Sequence, residues 1–475
     1  MPLKRPGFQE YNIKVHCNDG FYLMYGVFYV PKTLIKTRIN RKYHFYTGVT
    51  YMLYSQMNKE QLLNEKNVLD AQYAEILKKG LKLDMSRGKP DASQLDLSTE
   101  LLQVIKNEKD CYAENGFDCR NYGVLDGIPE AKALFAELLD VSADNVMVGG
   151  CSSLNLMYDE ISRAMLFGVV GGEKPWGAQG KIKFLCPVPG YDRHFAICEL
   201  MGIEMINIPM TKDGPDMDTV ERYVSEDESI KGIWCVPKYA NPDGCVYSDE
   251  TVRRFAALKP RAKDFRIFWD NAYAVHDLYE EISIANLLTL SKQYGNEDLP
   301  LIFTSTSKIS FAGAGVSAMA ASKANLDKSK KSMGIQTIGF DKINQLRHVK
   351  YFKNADGIKA QMKKHAEIMR PKFETVLKAF TEQLKPLGIA EWSEPKGGYF
   401  ITLSITAGSA KRVYQLAKEA GVTLTPAGAP FPYGIDPEDR ILRIAPSYPT
   451  VTELSAAVDV LCLCVKISAV ESYSK

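Results

Sequence analysis

From about residue 120 onward, short apolar runs rich in β-branched residues recur: NVMVGG (145–150), IKFLCPVPG (182–190), EMINIPM (204–210), IKGIWCVP (230–237), FRIFWDNAY (265–273), LPLIFTSTSK (299–308) and GVSAMAAS (315–322). Each has the length of a strand, and most run into Gly, Pro, Asn or Ser. Many are separated by stretches with helical apolar spacing, such as LNLMYDEISRAMLFG and DETVRRFAALKPRA. This alternation predicts an α/β fold with a largely parallel sheet covered on both faces. In such sheets the binding crevice forms beyond the carboxyl ends of the strands. The polar residues just past each run are therefore the informative ones.

Beyond residue 340 the pattern changes. Residues 357–388 read as one long helical stretch interrupted at Pro371, and GGYFITLSI and RILRIAP then read as strands, which predicts a smaller α+β domain. At the other end, MNKEQLLNEKNVLDAQYAEILKKG (57–80) is an amphipathic helix. The first 56 residues differ, with eight Lys/Arg against two acids and twelve aromatics. DGFYLMYGVFYV (19–30) reads as a strand pair. Three readings of the segment stand side by side: a basic binding arm, an added small module, or translated sequence ahead of a start at Met57. The clean helix opening at Met57 favours the last, and no function is assigned to the segment. The expected divisions are this extension (1–56), an N-terminal arm contributing to the small domain (57–104), a large cofactor-binding domain (105–347) and a C-terminal small domain (348–475).

Composition narrows the class. The 475 residues are 45% hydrophobic and 24% charged with a net charge of +2, so no charge excess marks a nucleic-acid or acidic-membrane partner. Ten cysteines are scattered without a C-x-x-C pair, which reads as free thiols in a reducing cytosol, with no metal site. No stretch reaches the roughly 20 apolar residues of a membrane span, and the start lacks a signal-peptide core. A cytoplasmic protein acting on small molecules is expected.

The strand ends carry the chemistry. VGGCSSLNLMYDEI is a Gly-rich turn entering a helix; Ser152 and Ser153 at that start form an anion cradle, or simply cap the helix. In PVPGYDRHF, either Tyr191 or His194 is placed to lie over a flat ligand, or else to pack. In VPKYANPDG, the Asn-Pro turn leaves the Asn241 amide facing outward. Asp270 ends a buried run with Tyr273 three residues on, and a carboxylate there requires a cationic or donor partner. STSK places Lys308 at another strand end, where desolvation disfavours an ammonium unless the amine is chemically used. One ligand uses all of these groups. Pyridoxal 5′-phosphate has an aldehyde for Lys308, a phosphate for the serine turn, a phenolate oxygen for Asn241 and Tyr273, and a ring nitrogen whose proton Asp270 would hold.

The order Asn-Pro-x-Gly, Asp-x-x-Tyr, Ser-x-Ser-Lys and a late Arg, here Asn241, Asp270, Tyr273, Ser305, Ser307, Lys308 and Arg443, resembles the fold-type I pyridoxal-phosphate aminotransferases over roughly residues 60–470. DMSRGKPDASQLDLS, NYGVLDGIPEAKALFAELL, TSKISFAGAGVSA and GFDKINQLRHVKYFKN look closest to the bacterial aspartate aminotransferases related to the aminotransferase part of MocR-type regulators. The resemblance implies fold type I, with a mostly parallel mixed sheet in a large domain plus a smaller α+β domain. It implies a homodimer that moves an amino group from L-aspartate, or another acidic amino acid, to 2-oxoglutarate by ping-pong kinetics. Lys308 is then the cofactor-bound lysine and proton carrier, with Asp270 on the ring nitrogen and Asn241 and Tyr273 on the phenolate oxygen. Ser152, Ser153, Ser305 and Ser307 belong to the cofactor site, and Tyr191 lies in the region of the ring-stacking aromatic. Tyr122 matches a tyrosine that reaches a phosphate across the dimer interface, and Arg443 the arginine that grips the substrate α-carboxylate.

One departure stands out. Relatives often place a phosphate-binding arginine shortly after the lysine, but SKISFAGAGVSAMA has none; Ser310 is an extra donor to consider. For a second substrate carboxylate the candidate cations are Arg87, Lys238, Arg347 and Lys342, with Arg87 and a 342–348 loop ranked first. The alternatives are an aminotransferase for alanine, aromatic or 2-aminoadipate substrates, a decarboxylase or lyase on the same fold, and a MocR-like cofactor-sensing regulator. The regulator requires a winged-helix module, whose helices residues 1–56 lack in sequence pattern.

Overall fold

The computed structural model describes residues 8–11, 28–31 and 52–475. The chain divides into two compact units, Met1–Tyr51 and Met52–Lys475. In the first, strands β1 (Phe8–Tyr11) and β2 (Phe28–Pro31) pair antiparallel. The strand pair expected at 19–30 lies largely outside the described residues.

The second unit holds all the strand-end residues read above. A short strand β3 (Leu83–Asp84) is followed by β4 (Val146–Val148), β5 (Lys183–Val188), β6 (Glu204–Thr211), β7 (Gly214–Pro215), β8 (Ile230–Cys235), β9 (Arg266–Asp270), β10 (Pro300–Ser305) and β11 (Ser317–Ala321). Strands β4 to β11 form one eight-stranded sheet in the order β4-β11-β10-β9-β8-β5-β6-β7. Pairs β5/β6, β5/β8, β8/β9 and β9/β10 are parallel, while β11 runs antiparallel between β10 and β4. The apolar runs thus form a mostly parallel mixed sheet, as the pattern predicts. Strands β8, β9 and β10 are buried at every position, because helices cover both faces. Separate apolar clusters lie on the two faces, one around Phe255, Ile267 and Trp269 and the other around Phe184, Trp234 and Phe268.

The C-terminal region carries β12 (Ala390–Trp392), β13 (Ile401–Ile405), β14 (Val422–Thr423) and β15 (Ile441–Ile444). Here β12-β13-β15 form an antiparallel sheet, and β14 pairs with β3. Leu62 and Leu69 of helix Lys59–Leu77 share one core with Phe373, Val376 and Phe380 and with Leu454, Leu461 and Val465 of the last helix, Val451–Tyr473. The expected helix at 57–80 begins at an Asn58 capping box with Gln61.

Two expectations are corrected. The interruption at Pro371 does not occur: Ala355–Gln383 is one helix with Pro371 inside it. Met362, Ala366 and Met369 before the proline, and Phe373, Val376 and Phe380 after it, bury along one face, and this packing holds the helix through the missing backbone donor. The 342–348 segment is not a loop. It belongs to helix Lys342–Phe352, whose Asp341 cap accepts from the Asn344 amide. Among the described residues no helix is long and apolar enough to cross a membrane, and the described cysteines are unpaired.

Candidate active site

The carboxyl ends of β4, β5, β8, β9 and β10 open into a cleft of about 520 Å3. Ser152, Ser153, Tyr191, Asn241, Asp270, Tyr273, Ser305, Ser307, Lys308, Arg87 and Arg443 all line it. Eleven positions spread over more than 350 residues of sequence therefore converge on one space: nine lie at or beyond strand ends of the large sheet, Arg87 follows β3 and Arg443 lies on β15.

Asp270 ends β9 and is 3% exposed. Its Oδ2 lies 3.1 Å from His194 Nε2, while Oδ1 has no hydrogen-bond partner. A buried carboxylate oxygen without a donor costs on the order of 1–3 kcal/mol, so this atom calls for a bound donor. His194 itself stacks on Trp234 with ring centroids 4.3 Å apart, and Tyr191 meets it edge-on. Of the two aromatics weighed for the flat ligand, His194 is thus placed behind Asp270 and only Tyr191 lines the cleft. Burial pushes the Tyr191 phenol up to about 12.

Lys308 follows β10, with Nζ 5.1 Å from the centroid of the Tyr273 ring. Burial lowers its pKa and the nearby Asp270 partly restores it, so a larger share of the amine is neutral at neutral pH than on a free lysine. Tyr273 is buried and its phenol is pushed well up by burial. Asn241 is buried, and its Oδ1 lies 3.4 Å from Arg443 Nη1.

Ser152 caps helix Ser153–Phe167 by accepting from the Leu154 amide at 3.1 Å, so the capping reading holds for it, and it also lines the cleft. Gly149 has no room for a side chain, since a Cβ there would lie 2.7 Å from Leu156 and 2.8 Å from Ser317 Oγ. Ser305 and Ser307 hydroxyls lie 3.1 Å apart, and Ser307 donates to the Cys151 carbonyl at 2.9 Å, tying the lysine loop to the serine turn.

Several candidates lie elsewhere. Ser310 is fully buried and bonded to the Thr306 carbonyl and His348, so it is no cleft donor. Lys238 is buried against Asp277 at 2.9 Å and the Ala274 carbonyl at 2.9 Å. Lys342 is buried near the Phe340 carbonyl, and Arg347 does not line the cleft. Tyr122 is 78% exposed and also outside it. Of the cations considered for a second carboxylate, only Arg87 borders the cleft. Sequence reasoning missed three charged residues there, Lys89, Asp192 and Arg193. Asp192 and Arg193 form the first turn of helix Asp192–Leu200, and the quoted YDRH gave their position but not their partners.

The donor set fits pyridoxal phosphate, because the unpartnered Oδ1 of Asp270, the half-buried amine of Lys308 and the helix start at Ser153 face one cleft. Sheet and site together define a pyridoxal-phosphate-dependent aminotransferase of fold type I. A family model described as "Aspartate amino-transferase" matches residues 57–475, and the chain belongs to that family. It is 46% identical over 403 residues to an aspartate aminotransferase of Corynebacterium glutamicum, covering 85% of this chain and 93% of that one. It is 46% identical over 423 residues to a putative aminotransferase of Mycolicibacterium smegmatis, covering 89% and 99% respectively. The solved structure of an aspartate transaminase from C. glutamicum superposes with a TM-score of 0.87 at 44% identity, covering 89% of this chain and all of that one.

Proposed function

We propose that this aminotransferase takes the amino group from L-aspartate and passes it to 2-oxoglutarate, as a homodimer in the cytoplasm. The observation that carries the reading is the cleft itself. It presents Arg443 and leaves Arg87, which makes no ion pair among the described residues, for a second carboxylate. The likeness to a protein named aspartate aminotransferase supports the same substrate.

When bound, the cofactor supplies an aldehyde that condenses with amines and an electron-withdrawing ring that stabilises charge at the substrate Cα. Asp270 Oδ1 would accept a hydrogen bond from the protonated ring nitrogen, and His194 holds that carboxylate from behind. Asn241 and Tyr273 serve the phenolate oxygen, and Ser152, Ser153, Ser305 and Ser307 the phosphate. Arg193 and Lys89 border the same cleft and offer the positive charge that the arginine-free segment after Lys308 lacks. Arg443 grips the substrate α-carboxylate, where a planar fork suits the task. Lys308 Nζ, whose pKa burial lowers, takes the Cα proton. Tyr122 would serve the phosphate of a second subunit, a role its exposure permits. The divisions at 57–104, 105–347 and 348–475 remain our reading of the domains, with the shared core of the first and last helices in support.

The test is the visible absorbance of the cofactor-loaded protein. Aspartate should bleach the band and 2-oxoglutarate restore it. A band that ignores aspartate but bleaches with alanine, an aromatic amino acid or 2-aminoadipate would discard the aspartate assignment.

A further inference from the structure

Arg443 is 8% exposed, and its hydrogen bonds leave it poorly prepared for the ligand assigned to it. Nη1 donates to Asp192 Oδ1 at 2.8 Å and lies 3.4 Å from Asn241 Oδ1. Nε donates to Thr425 Oγ1 at 3.3 Å. A guanidinium grips a carboxylate with two parallel N–H groups, taken either from its end (Nη1 and Nη2) or from its side (Nε and Nη2). Each of those edges has one nitrogen already engaged. Only Nη2 is without a partner, and one nitrogen cannot make the two-point contact.

Asp192 is the part of this arrangement free to move. Its side chain is 33% exposed, against 8% for that of Arg443. It sits in the first turn of helix Asp192–Leu200, where the helix dipole and solvent keep a carboxylate stabilised after it leaves Arg443. Arg443 is held by Thr425, by Asn241 and by the Phe400 ring, 5.0 Å from its Cζ. An arriving carboxylate therefore displaces Asp192 and leaves the arginine in place.

We propose that Asp192 is an internal competitor for the substrate carboxylate: it occupies Arg443 in the amino-acid-free enzyme and sets the affinity for every substrate that Arg443 binds. The inference rests on the assignment of Arg443 as the α-carboxylate site. If Asp192 occupies Arg443 in about nine molecules of ten, apparent dissociation constants are raised about tenfold. Amino donor and oxo-acid acceptor share the arginine, so both carry the same factor. Removing the competitor tightens the two together and shifts KM rather than the chemical step.

The experiment is calorimetric titration of the cofactor-loaded enzyme with maleate, a dicarboxylate that has no amino group and cannot react. Asp192→Asn, nearly isosteric, should tighten maleate about tenfold, Asp192→Ala should do the same, and Asp192→Glu should stay near wild type. In steady state, Asp192→Asn should lower KM for aspartate and 2-oxoglutarate by one common factor. Maleate binding unchanged or weakened in both Asp192→Asn and Asp192→Ala would overturn the proposal, because Asp192 would then be positioning Arg443. Arg443→Gln separates the two layers. Loss of maleate binding in that variant upholds the assignment of Arg443 whatever Asp192 does, and retention removes the ground for both.

Discussion

Lys308 and His365 show how burial sets protonation residue by residue. The lysine is held toward its neutral form and lines the cleft, so Lys308→Ala should slow the proton transfer by about 10^2- to 10^4-fold, measured as single-turnover loss of the cofactor band with aspartate. Substantial transamination by that variant would remove Lys308 as the proton carrier. His365 is 2% exposed and makes two fixed contacts. Nε2 lies 3.1 Å from the Ile309 carbonyl, which needs a donor, and Nδ1 lies 3.1 Å from the Gln94 amide nitrogen, itself a donor. Burial pushes the ring down to about 4, against the opposing pull of the Ile309 carbonyl and Asp91. The unfolded chain takes that proton near 6.5, so it binds more protons than the folded one between the two values, and stability falls as pH drops from about 6.5 to 4. His365→Gln should flatten this loss by at most about 1.4 kcal/mol per pH unit, read from urea midpoints between pH 7 and 5. Parallel slopes in the two proteins would sink the assignment. Residues such as Lys308, Asp270 and Asn241 were legible in the sequence because each ends a buried run. His194 as the support of Asp270, and Asp192 as the partner of Arg443, were not, since those pairings span 76 and 251 positions and leave no local trace.

The strands were readable for a related reason: a strand buried on both faces must be apolar at nearly every position, and β8, β9 and β10 announce themselves that way. Helix Ala355–Gln383 was misread because a local rule, that proline breaks helices, was overridden by distant packing. That override makes a prediction. Pro371 is exposed within the helix, so its side chain adds little packing. Pro371→Ala should stabilise the protein by about 2 kcal/mol, the roughly 3 kcal/mol interior penalty less about 1 kcal/mol for the gain in unfolded-chain freedom. Thermal or urea unfolding of the variant decides it, and destabilisation would mean that the proline shapes the helix rather than being tolerated by it. The same element joins other parts of the chain, since the buried Lys372 amine donates to Asp91 at 2.5 Å and to the Ser447 carbonyl at 2.7 Å. Neither partner could be foreseen from the spacing around Lys372.

At the scale of the whole molecule, the exposed Tyr122 is the feature that one chain leaves unexplained. If it completes the neighbour's site, two inactive variants should rescue each other. The Lys308→Ala and Tyr122→Ala proteins, unfolded and refolded together, would then yield mixed dimers in which one site regains both residues. Activity well above either parent is expected, and its absence would confine Tyr122 to its own subunit's surface. The other molecule-wide feature is the core that joins helix Lys59–Leu77 to helix Val451–Tyr473. On the ribosome this core cannot close when its first half emerges. At the usual 5–20 residues per second, the roughly 370 residues between the two helices take on the order of 20–80 s to synthesise. Through that interval Leu62 and Leu69 lack their partners on helix Val451–Tyr473, and part of this apolar face stays open on the nascent chain. Helix Val451–Tyr473 is the element that closes it.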